Sequence, residues 1–179
     1  VNMPGTTSTE PNNQNYLSPL GFRFQLSRTP KTNYFVQSVT LPSVTLGQFD
    51  LDDPFVKLPL PGTKLSFDTL NISFIVNEDM ENYLEIYNWL KGLGFPESYS
   101  QYSALSSQAP DLAPKATDVY SDASLMVMSS NHNPNIKINF QDMFPISLSD
   151  LTFDSTLSDV EYLKATVTFR YRLYTIEKL

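Results

Sequence analysis

The sequence that decides the fold is Leu70-Asn-Ile-Ser-Phe-Ile-Val-Asn-Glu-Asp-Met-Glu-Asn-Tyr-Leu-Glu-Ile-Tyr-Asn-Trp-Leu90. Alternating apolar and polar residues at its start, together with the residues before it, predict a strand over residues 65–76. Asn77 or Asp79 is expected to cap a helix over residues 79–92. Glu78, Asp79 and Glu81 suit the positive N-terminal end of that helix. Apolar residues recur there at steps of three and four, so one stripe is expected to pack on a sheet; it comprises Met80, Tyr83, Leu84, Tyr87 and Leu90.

The segments on either side of this strand and helix favour further strands. Alternation predicts strands over residues 20–26 and 34–41, as hairpin partners, and over residues 123–129 and 135–140. A turn segment follows over residues 143–154. The closing strand covers residues 163–174, where apolar residues alternate with a regular polar set, so one of its faces is expected to meet water. The polar set is Lys164, Thr166, Thr168, Arg170 and Arg172. The fold class predicted is mainly β with one packed helix (α+β), as an antiparallel β-sandwich or half-barrel.

The domain organisation predicted is an extended N-terminal arm over residues 1–18 and one β domain over residues 19–179. The domain carries a protruding hairpin over residues 42–64 and a long loop over residues 94–122. The loop contains six serines and three prolines, and loops of this length in compact domains are usually functional or mobile.

The 42–64 segment combines four prolines with a high apolar content. Proline is confined to edges and turns of sheets, so the segment cannot be a central strand. Two interpretations stay open: a hairpin packed on its own core, or a hairpin that buries its apolar residues in a neighbouring subunit. The second makes these residues inter-subunit contacts: Val44, Leu46, Phe49, Leu51, Phe55 and Val56.

Composition excludes several classes of function. The 179 residues carry a net charge of −7 and no cysteine, so disulfides and thiolate sites are absent. Basic residues do not cluster beyond Arg170 and Arg172, so a sequence-neutral grip on phosphates is not expected. No apolar run reaches the length of a membrane span, and no insertion of the chain into a membrane is expected.

The search for chemistry finds no reactive centre. His132 is the only histidine and lies in an Asn-rich turn, without a partner for a catalytic triad or a metal site. Asp50, Asp52 and Asp53 lack the spacing of a Ca²⁺ loop. The acidic stretch from Asp142 to Glu161 is expected to be a solvated edge. We therefore expect no catalytic, cofactor-binding or metal-binding residues, no cofactor and no enzymatic activity.

The strand and acidic-capped helix of residues 70–90, the segment 144–153 and the alternating strand 165–171, taken in order, resemble the tube-forming proteins of contractile phage tails. The match covers about residues 20–92 and 135–174. Within that group, the length suits the major tail tube protein, whereas Phe144-Pro-Ile-Ser-Leu-Ser149 is similar to the baseplate tube initiators. Both alternatives stay open.

The resemblance implies a virion structural protein, made in the host cytoplasm, that forms homo-hexameric rings of the tail tube or its baseplate-proximal end. Sheets would pair edge to edge around a channel for DNA ejection, and rings would stack through the hairpin and the arm. Neighbouring tube, sheath or baseplate proteins would be partners, and DNA would pass without specific binding. Channel-facing or groove-facing residues would be Thr166, Thr168, Arg170 and Arg172, with Asp154, Asp159 or Glu161 expected to offset the arginines. Two alternatives remain: a tube subunit of a secretion or contractile-injection system, and a carbohydrate-binding β-sandwich module.

Overall fold

The computed structural model describes residues 15–94, 97–107, 119–156 and 162–179. Most of the predicted arm and part of the 94–122 loop therefore lie outside the described residues. The strands are β1 (Phe22–Leu26), β2 (Val36–Thr40), β3 (Val44–Asp52), β4 (Lys57–Phe67), β5 (Leu70–Ile75), β6 (Ser121–Met128), β7 (Pro134–Leu148), β8 (Lys164–Arg170) and β9 (Leu173–Lys178). The helices are α1 (Pro30–Asn33), α2 (Glu81–Gly94) and α3 (Ser100–Ser107). The prediction of a loop over residues 94–122 is therefore wrong in part, because α3 lies within it and β6 begins at Ser121.

Seven strands form one sheet in the order β1-β6-β7-β8-β5-β2, with β9 pairing with β7. Strands β3 and β4 form a separate two-stranded sheet. All strand pairs in the described part of the chain are antiparallel. The predicted fold class, mainly β and antiparallel with one main helix, is confirmed.

Strand β7 is shared between two parts of the sheet. Its first half pairs with β6 and β9, and its last residues pair with β8. The change occurs at Asp142, whose φ of 52° lies in the left-handed region, where a residue other than glycine is uncommon. The bend lets the inner faces of the two parts enclose one core, which includes Phe24, Leu125, Phe140, Leu70, Phe74, Val167 and Phe169.

Two sequence predictions are wrong, one about the pairing of β1 and β2 and one about the segment 143–154. Strands β1 and β2 are not hairpin partners, because α1 turns the chain between them, and β1 pairs with β6 while β2 pairs with β5. The segment 143–154 is not only a turn, because β7 continues through it to Leu148.

Two strands predicted as continuous are each divided. The strand over residues 65–76 is broken at Asp68 and Thr69, so its first residues belong to the hairpin. The strand over residues 163–174 is broken at Tyr171 and Arg172. There the Arg172 N–H donates to the carbonyl of Gln141 at 3.0 Å, and the chain moves from one part of β7 to the other.

Helix α2 lies close to its predicted range but buries a different face. The buried positions are Asn82, Ile86, Trp89 and Gly92, whereas Leu84 and Tyr87 are 46% and 48% exposed. The prediction that Tyr83, Leu84, Tyr87 and Leu90 form the buried stripe is therefore wrong in part: only Tyr83 and Leu90 pack against the core, and both are partly buried. The true stripe includes a polar residue, which a search for apolar periodicity does not find.

Asn82 is buried because it organises the start of α2. Its side-chain amide donates to the Ile75 carbonyl at 2.7 Å, and its Oδ1 accepts from the N–H groups of Tyr83 and Asn77 at 2.9 and 3.3 Å. Asn77 in turn accepts from the Asn82 N–H at 3.4 Å. Asn77 thus contributes to the cap, as one of the two predicted cap residues, and the pair joins β5 to the helix.

We expect Asn82→Ala to lower the free energy of unfolding by about 1–3 kcal/mol, because the Ile75 carbonyl and two N–H groups lose a buried partner. Urea unfolding followed by circular dichroism measures the change. Asn88→Ala, on the exposed side of the same helix, is the matched control. Equal stabilities of the two variants would contradict the role given to Asn82.

Candidate assembly surfaces

The hairpin β3–β4 pairs its strands from Val44 opposite Phe67 to Asp52 opposite Lys57. Its base is attached to the core, because the Phe67 ring lies 6.1 Å from Tyr171 and 5.5 Å from Tyr174, measured between centroids. Apart from the partly buried Gly62 and Phe67, all residues of both strands are exposed. The hairpin therefore projects from the domain.

The apolar residues of the hairpin change faces along its length. Near the base, the apolar pairs are Val44 with Phe67 and Leu46 with Leu65; farther out, they are Phe49 with Leu60 and Leu51 with Leu58. Successive side chains of a strand point to opposite faces, so the step of three from Leu46 to Phe49 moves the apolar set to the other side. The hairpin can thus offer an apolar surface in two directions.

The change of face coincides with a close approach of the two strands at glycines. The register shifts between Leu46 and Gln48, and a Cβ on Gly62 would lie 2.5 Å from the Gly47 carbonyl oxygen. Only a residue without a side chain fits there, so Gly62 is required for the shift.

The six predicted inter-subunit residues are all exposed within the chain. Their exposed fractions range from 42% at Val44 to 96% at Phe55. The structure thus does not show the hairpin packed on its own core beyond the base. That a neighbouring subunit covers it stays a prediction.

Proline limits how the hairpin can make contact. Pro59 and Pro61 lie on β4 opposite Asp50 and Gln48, and β4 has no strand on its other side in the described residues. Proline lacks the N–H that a further strand would need, so strand addition along this edge is disfavoured. Contact through the side-chain faces is favoured instead.

A second candidate surface is the outer face of β8 and its neighbours. Along β8, Val167 and Phe169 are buried, Thr166 and Thr168 are half-buried, and Arg170 is exposed. The predicted alternation is therefore correct, and a slip of one residue is excluded. Hydroxyl and amide side chains lie opposite one another on β2, β5, β8 and β7 and form two rows across these four strands. The residues of the two rows are Ser38, Thr40, Asn71, Ser73, Ser147, Thr166 and Thr168.

Hydrogen bonds join these rows across the strands. Thr168 donates from Oγ1 to Asn71 Oδ1 at 2.8 Å, and the hydroxyls of Ser73 and Thr166 lie 3.0 Å apart. The rows contain no charged residue. Lys164 and Arg170 lie at the two ends of β8, so the middle of this face is neutral and polar.

The two arginines have different surroundings. Arg172 Nε lies 3.0 Å from Asp142 Oδ2, and its guanidinium donates to Gln141 Oε1 at 3.0 Å. Arg170 forms no ion pair within the described ranges. The offsetting carboxylate is thus Asp142 rather than Asp154, which instead accepts from Thr156, and these hydrogen bonds lower the Asp154 pKa. Asp159 and Glu161 lie outside the described residues.

Tyr171 has a buried hydroxyl beside the hairpin base. The side chain is 7% exposed, and no hydrogen-bond partner for Oη is found among the described residues. Burial, with smaller contributions from Tyr174 and Asp68, raises the pKa of this phenol to about 12. The group therefore stays neutral well above the range in which an exposed tyrosine ionises.

We expect this pKa to make stability fall at alkaline pH. The folded pKa exceeds the unfolded value, so the contribution is complete below about pH 10 and is lost as the pH rises to about 12. The loss in the free energy of unfolding is at most about 3 kcal/mol, because each pKa unit corresponds to roughly 1.4 kcal/mol. Urea unfolding between pH 9 and 12 measures it. In Tyr171→Phe the decline is expected to be smaller, and an unchanged decline would contradict the assignment.

No group of three or more His, Cys, Asp or Glu residues that could hold a metal ion occurs within residues 15–94, 97–107, 119–156 and 162–179. His132 lies in the turn between β6 and β7, where its N–H donates to the Ser129 carbonyl at 2.9 Å. None of the helices in the described part of the chain is long and apolar enough to cross a membrane.

Sequence reasoning did not foresee the surface clefts, and one of them lies beside the bend in β7. Tyr120, Asp142, Phe144, Tyr171 and Arg172 line a cleft of about 360 Å³ beside the bend in β7. The rings of Tyr120 and Phe144 meet edge to face, with centroids 5.7 Å apart. The cleft depends on the left-handed residue Asp142 and on the break between β8 and β9, and neither has a signal in a single sequence.

Comparison with known proteins identifies relatives over most of the chain. A family model described as phage tail tube protein matches residues 2–177. The tail tube terminator protein of Enterobacteria phage T4 is 26% identical over 145 residues, covering 79% of this chain and 76% of that protein.

Solved structures share the fold at low sequence identity. The sheath/tube terminator of the PVC extracellular contractile injection system has a TM-score of 0.59 at 13% identity, covering 92% of this chain and 99% of that chain. The tube terminating cap of the anti-feeding prophage has a TM-score of 0.57 at 15% identity, covering 97% of this chain and 98% of that chain.

Proposed function

The chain belongs to the phage tail tube protein family, and from this we propose that it is a structural tail protein that closes into a hexameric ring at one end of a contractile tail tube. The position at the end of the tube is favoured by the T4 relative, which is a tube terminator. Tube, sheath or baseplate proteins of the same tail would be its neighbours in the virion. Its surface residues would bind neighbouring subunits and line a channel rather than catalyse a reaction.

The exposed hairpin is the observation that carries the proposal. It projects apolar residues that the chain itself leaves uncovered, with Phe49 and Phe55 56% and 96% exposed. A projecting apolar surface of this kind is typical of an interface. A contact between two different surfaces closes a ring when its repeated rotation about the axis returns to the first subunit.

Sheet edges that have no partner strand within the described residues also support a ring. Strands β1 and β2 lie at the two ends of the strand order. Exposed edges are an aggregation hazard, which edge-to-edge pairing in a closed ring removes. The N-terminal arm over residues 1–18 would add contacts to a neighbouring ring or protein.

The neutral face of β8 is the part we assign to the channel. Thr166 and Thr168 lie in its centre, and hydroxyl and amide groups surround them without a charge. Sequence-neutral binding of DNA depends on cations that contact phosphates. A wall of hydroxyl groups would thus allow DNA to pass without retaining it during ejection.

We expect the substitutions Thr166→Lys and Thr168→Lys, made together, to convert assembled rings into DNA-binding rings. Filter binding of duplex DNA measures this, and the gain should fall steeply with salt. The control carries Ser124→Lys and Thr175→Lys, on the outer face of β6 and β9. Equal DNA binding by both variants would contradict the placement of the channel.

Negative-stain microscopy of the purified chain tests the proposal. We expect single sixfold rings with a central hole. Stacked tubes formed by the chain alone would favour the major tube subunit over a ring at the tube end. A protein that stays monomeric at all concentrations would overturn the ring.

A second candidate is a tube-end subunit of a contractile injection system rather than of a phage. The similarity in fold to the terminators of two such systems favours it. The ring and its channel would be the same in both cases, and the cargo would differ.

A further inference from the structure

We propose that the cleft formed by Tyr120, Phe144 and Tyr171 is the receptor for the hairpin tip of a neighbouring copy of this chain, with Phe55 as the inserted side chain. The inference rests on the proposed ring and deepens it, because it names the surface that the hairpin meets. The tip is defined as residues 50–57, and the cleft by its five lining residues, which also include Asp142 and Arg172.

Size and polarity match between the tip and the cleft. Phe55 is the most exposed large apolar residue of the hairpin, at 96%, and the cleft of about 360 Å³ has room for one aromatic ring. Tyr120 and Phe144 already meet edge to face, a geometry that a third ring can extend. Large aromatic side chains in pockets supply most of the binding energy at interfaces.

Charge also matches between the two surfaces. The tip carries Asp50, Asp52 and Asp53 against one Lys57. Arg170 lies opposite Phe144 in the sheet, and opposite residues share a face, so its guanidinium is on the cleft side. It forms no ion pair within the described ranges. An acidic tip would give Arg170 a partner and guide the approach of the hairpin.

The tip of the same chain cannot occupy the cleft. The cleft and the base of the hairpin lie together, because Tyr171 lines the cleft and its ring is 6.1 Å from Phe67. From that base β3 runs outward for nine residues, which places the tip roughly 25–30 Å away at about 3.3 Å per residue. A domain of this size has a radius of gyration of about 16 Å, so the tip reaches a neighbouring copy.

This arrangement divides the closing strand into two surfaces. Thr166 and Thr168 would face the channel, while Arg170 and Arg172 would lie at a groove between subunits. Both arginines would then be separated from passing DNA by the hairpin of the next subunit.

Disulfide cross-linking tests the contact directly, because the chain has no cysteine of its own. The variant Pro54→Cys with Ile146→Cys keeps Phe55 and all five cleft residues, and it places one thiol on the tip and one on β7 beside Phe144, where Ile146 is exposed. After oxidation we expect a ladder of covalent multimers up to the hexamer on a non-reducing gel. The control, Pro54→Cys with Thr175→Cys, should give monomers.

The outcomes separate this inference from the ring itself. If rings form but the two thiols introduced at positions 54 and 146 do not cross-link, or if the control pair gives an equal ladder, the cleft is overturned as the receptor while the ring remains. Absence of rings in the unmodified chain would instead overturn the proposed function.

Complementation gives a second, independent readout. Phe55→Asp removes the donor, and Tyr120→Asp with Arg170→Glu removes the receptor; all three residues are exposed, so folding is expected to persist. Each variant alone should be monomeric, and their mixture should form one-to-one heterodimers but no rings. Ring formation by the receptor variant alone would overturn the inference.

Discussion

Replacing Phe49 and Phe55 together by aspartate is expected to give a folded monomer that no longer assembles. Each buried aromatic side chain contributes about 1.5–3 kcal/mol, so each interface would lose about 3 kcal/mol or more. This weakens association at least about a hundredfold at every contact of the ring. Size-exclusion chromatography with light scattering measures the loss, and circular dichroism is expected to show an unchanged fold.

The control for this variant adds the same charge without removing an aromatic side chain. Gln48→Asp with Thr63→Asp changes two exposed polar residues of the same hairpin and should still assemble. If the Phe49 and Phe55 variant forms rings as the unmodified chain does, the hairpin is not the assembly contact.

Trp89→Ala is expected to cause the largest loss of stability, about 3–5 kcal/mol. The side chain is 2% exposed. Its ring lies 6.1 Å from Phe169 between centroids, its Nε1 donates to the Val119 carbonyl at 3.1 Å, and the Arg28 guanidinium lies 5.3 Å from its centroid. The truncation thus removes contacts that join α2 to the sheet. Urea unfolding measures the change.

Tyr87→Ala is the matched control on the same helix. Tyr87 is 48% exposed, so its truncation is expected to cost less than about 1 kcal/mol. A larger loss of stability in Tyr87→Ala than in Trp89→Ala would contradict the buried face of α2 described above and support the face that the sequence pattern predicted.

The central strands could be predicted from sequence because each has one buried face. In β5 and β8, apolar residues alternate with polar ones, and the structure places Ile72 and Val167 inside and Asn71 and Thr168 outside. A slip of one residue would bury the polar set, so the pattern fixes the faces. The hairpin was also found, because prolines and exposed apolar residues are visible in a sequence.

The face of α2 could not be predicted, because its stripe contains Asn82. Asn82 is buried through hydrogen bonds to backbone groups of β5 and α2, and an apolar count assigns it to the surface. Similarly, the ion-pair partner of Arg172 is Asp142. Asp142 comes near Arg172 because β7 bends at this residue, and no local sequence pattern predicts that bend.

The strand order has a consequence for the time course of folding. Strand β1 pairs with β6 and β5 pairs with β8, which joins residues about 100 positions apart. Closing such distant pairs is slow, whereas a local hairpin such as β3–β4 forms in about 1–10 μs. The β3–β4 hairpin, with its exposed apolar residues, is therefore expected to form long before the sheet that holds its base. During this interval chains can associate through their hairpins, but the hairpin has no fixed orientation relative to the rest of its chain. A correct ring can therefore close only after the distant strands have paired, and the rate of that pairing limits the rate of ring assembly.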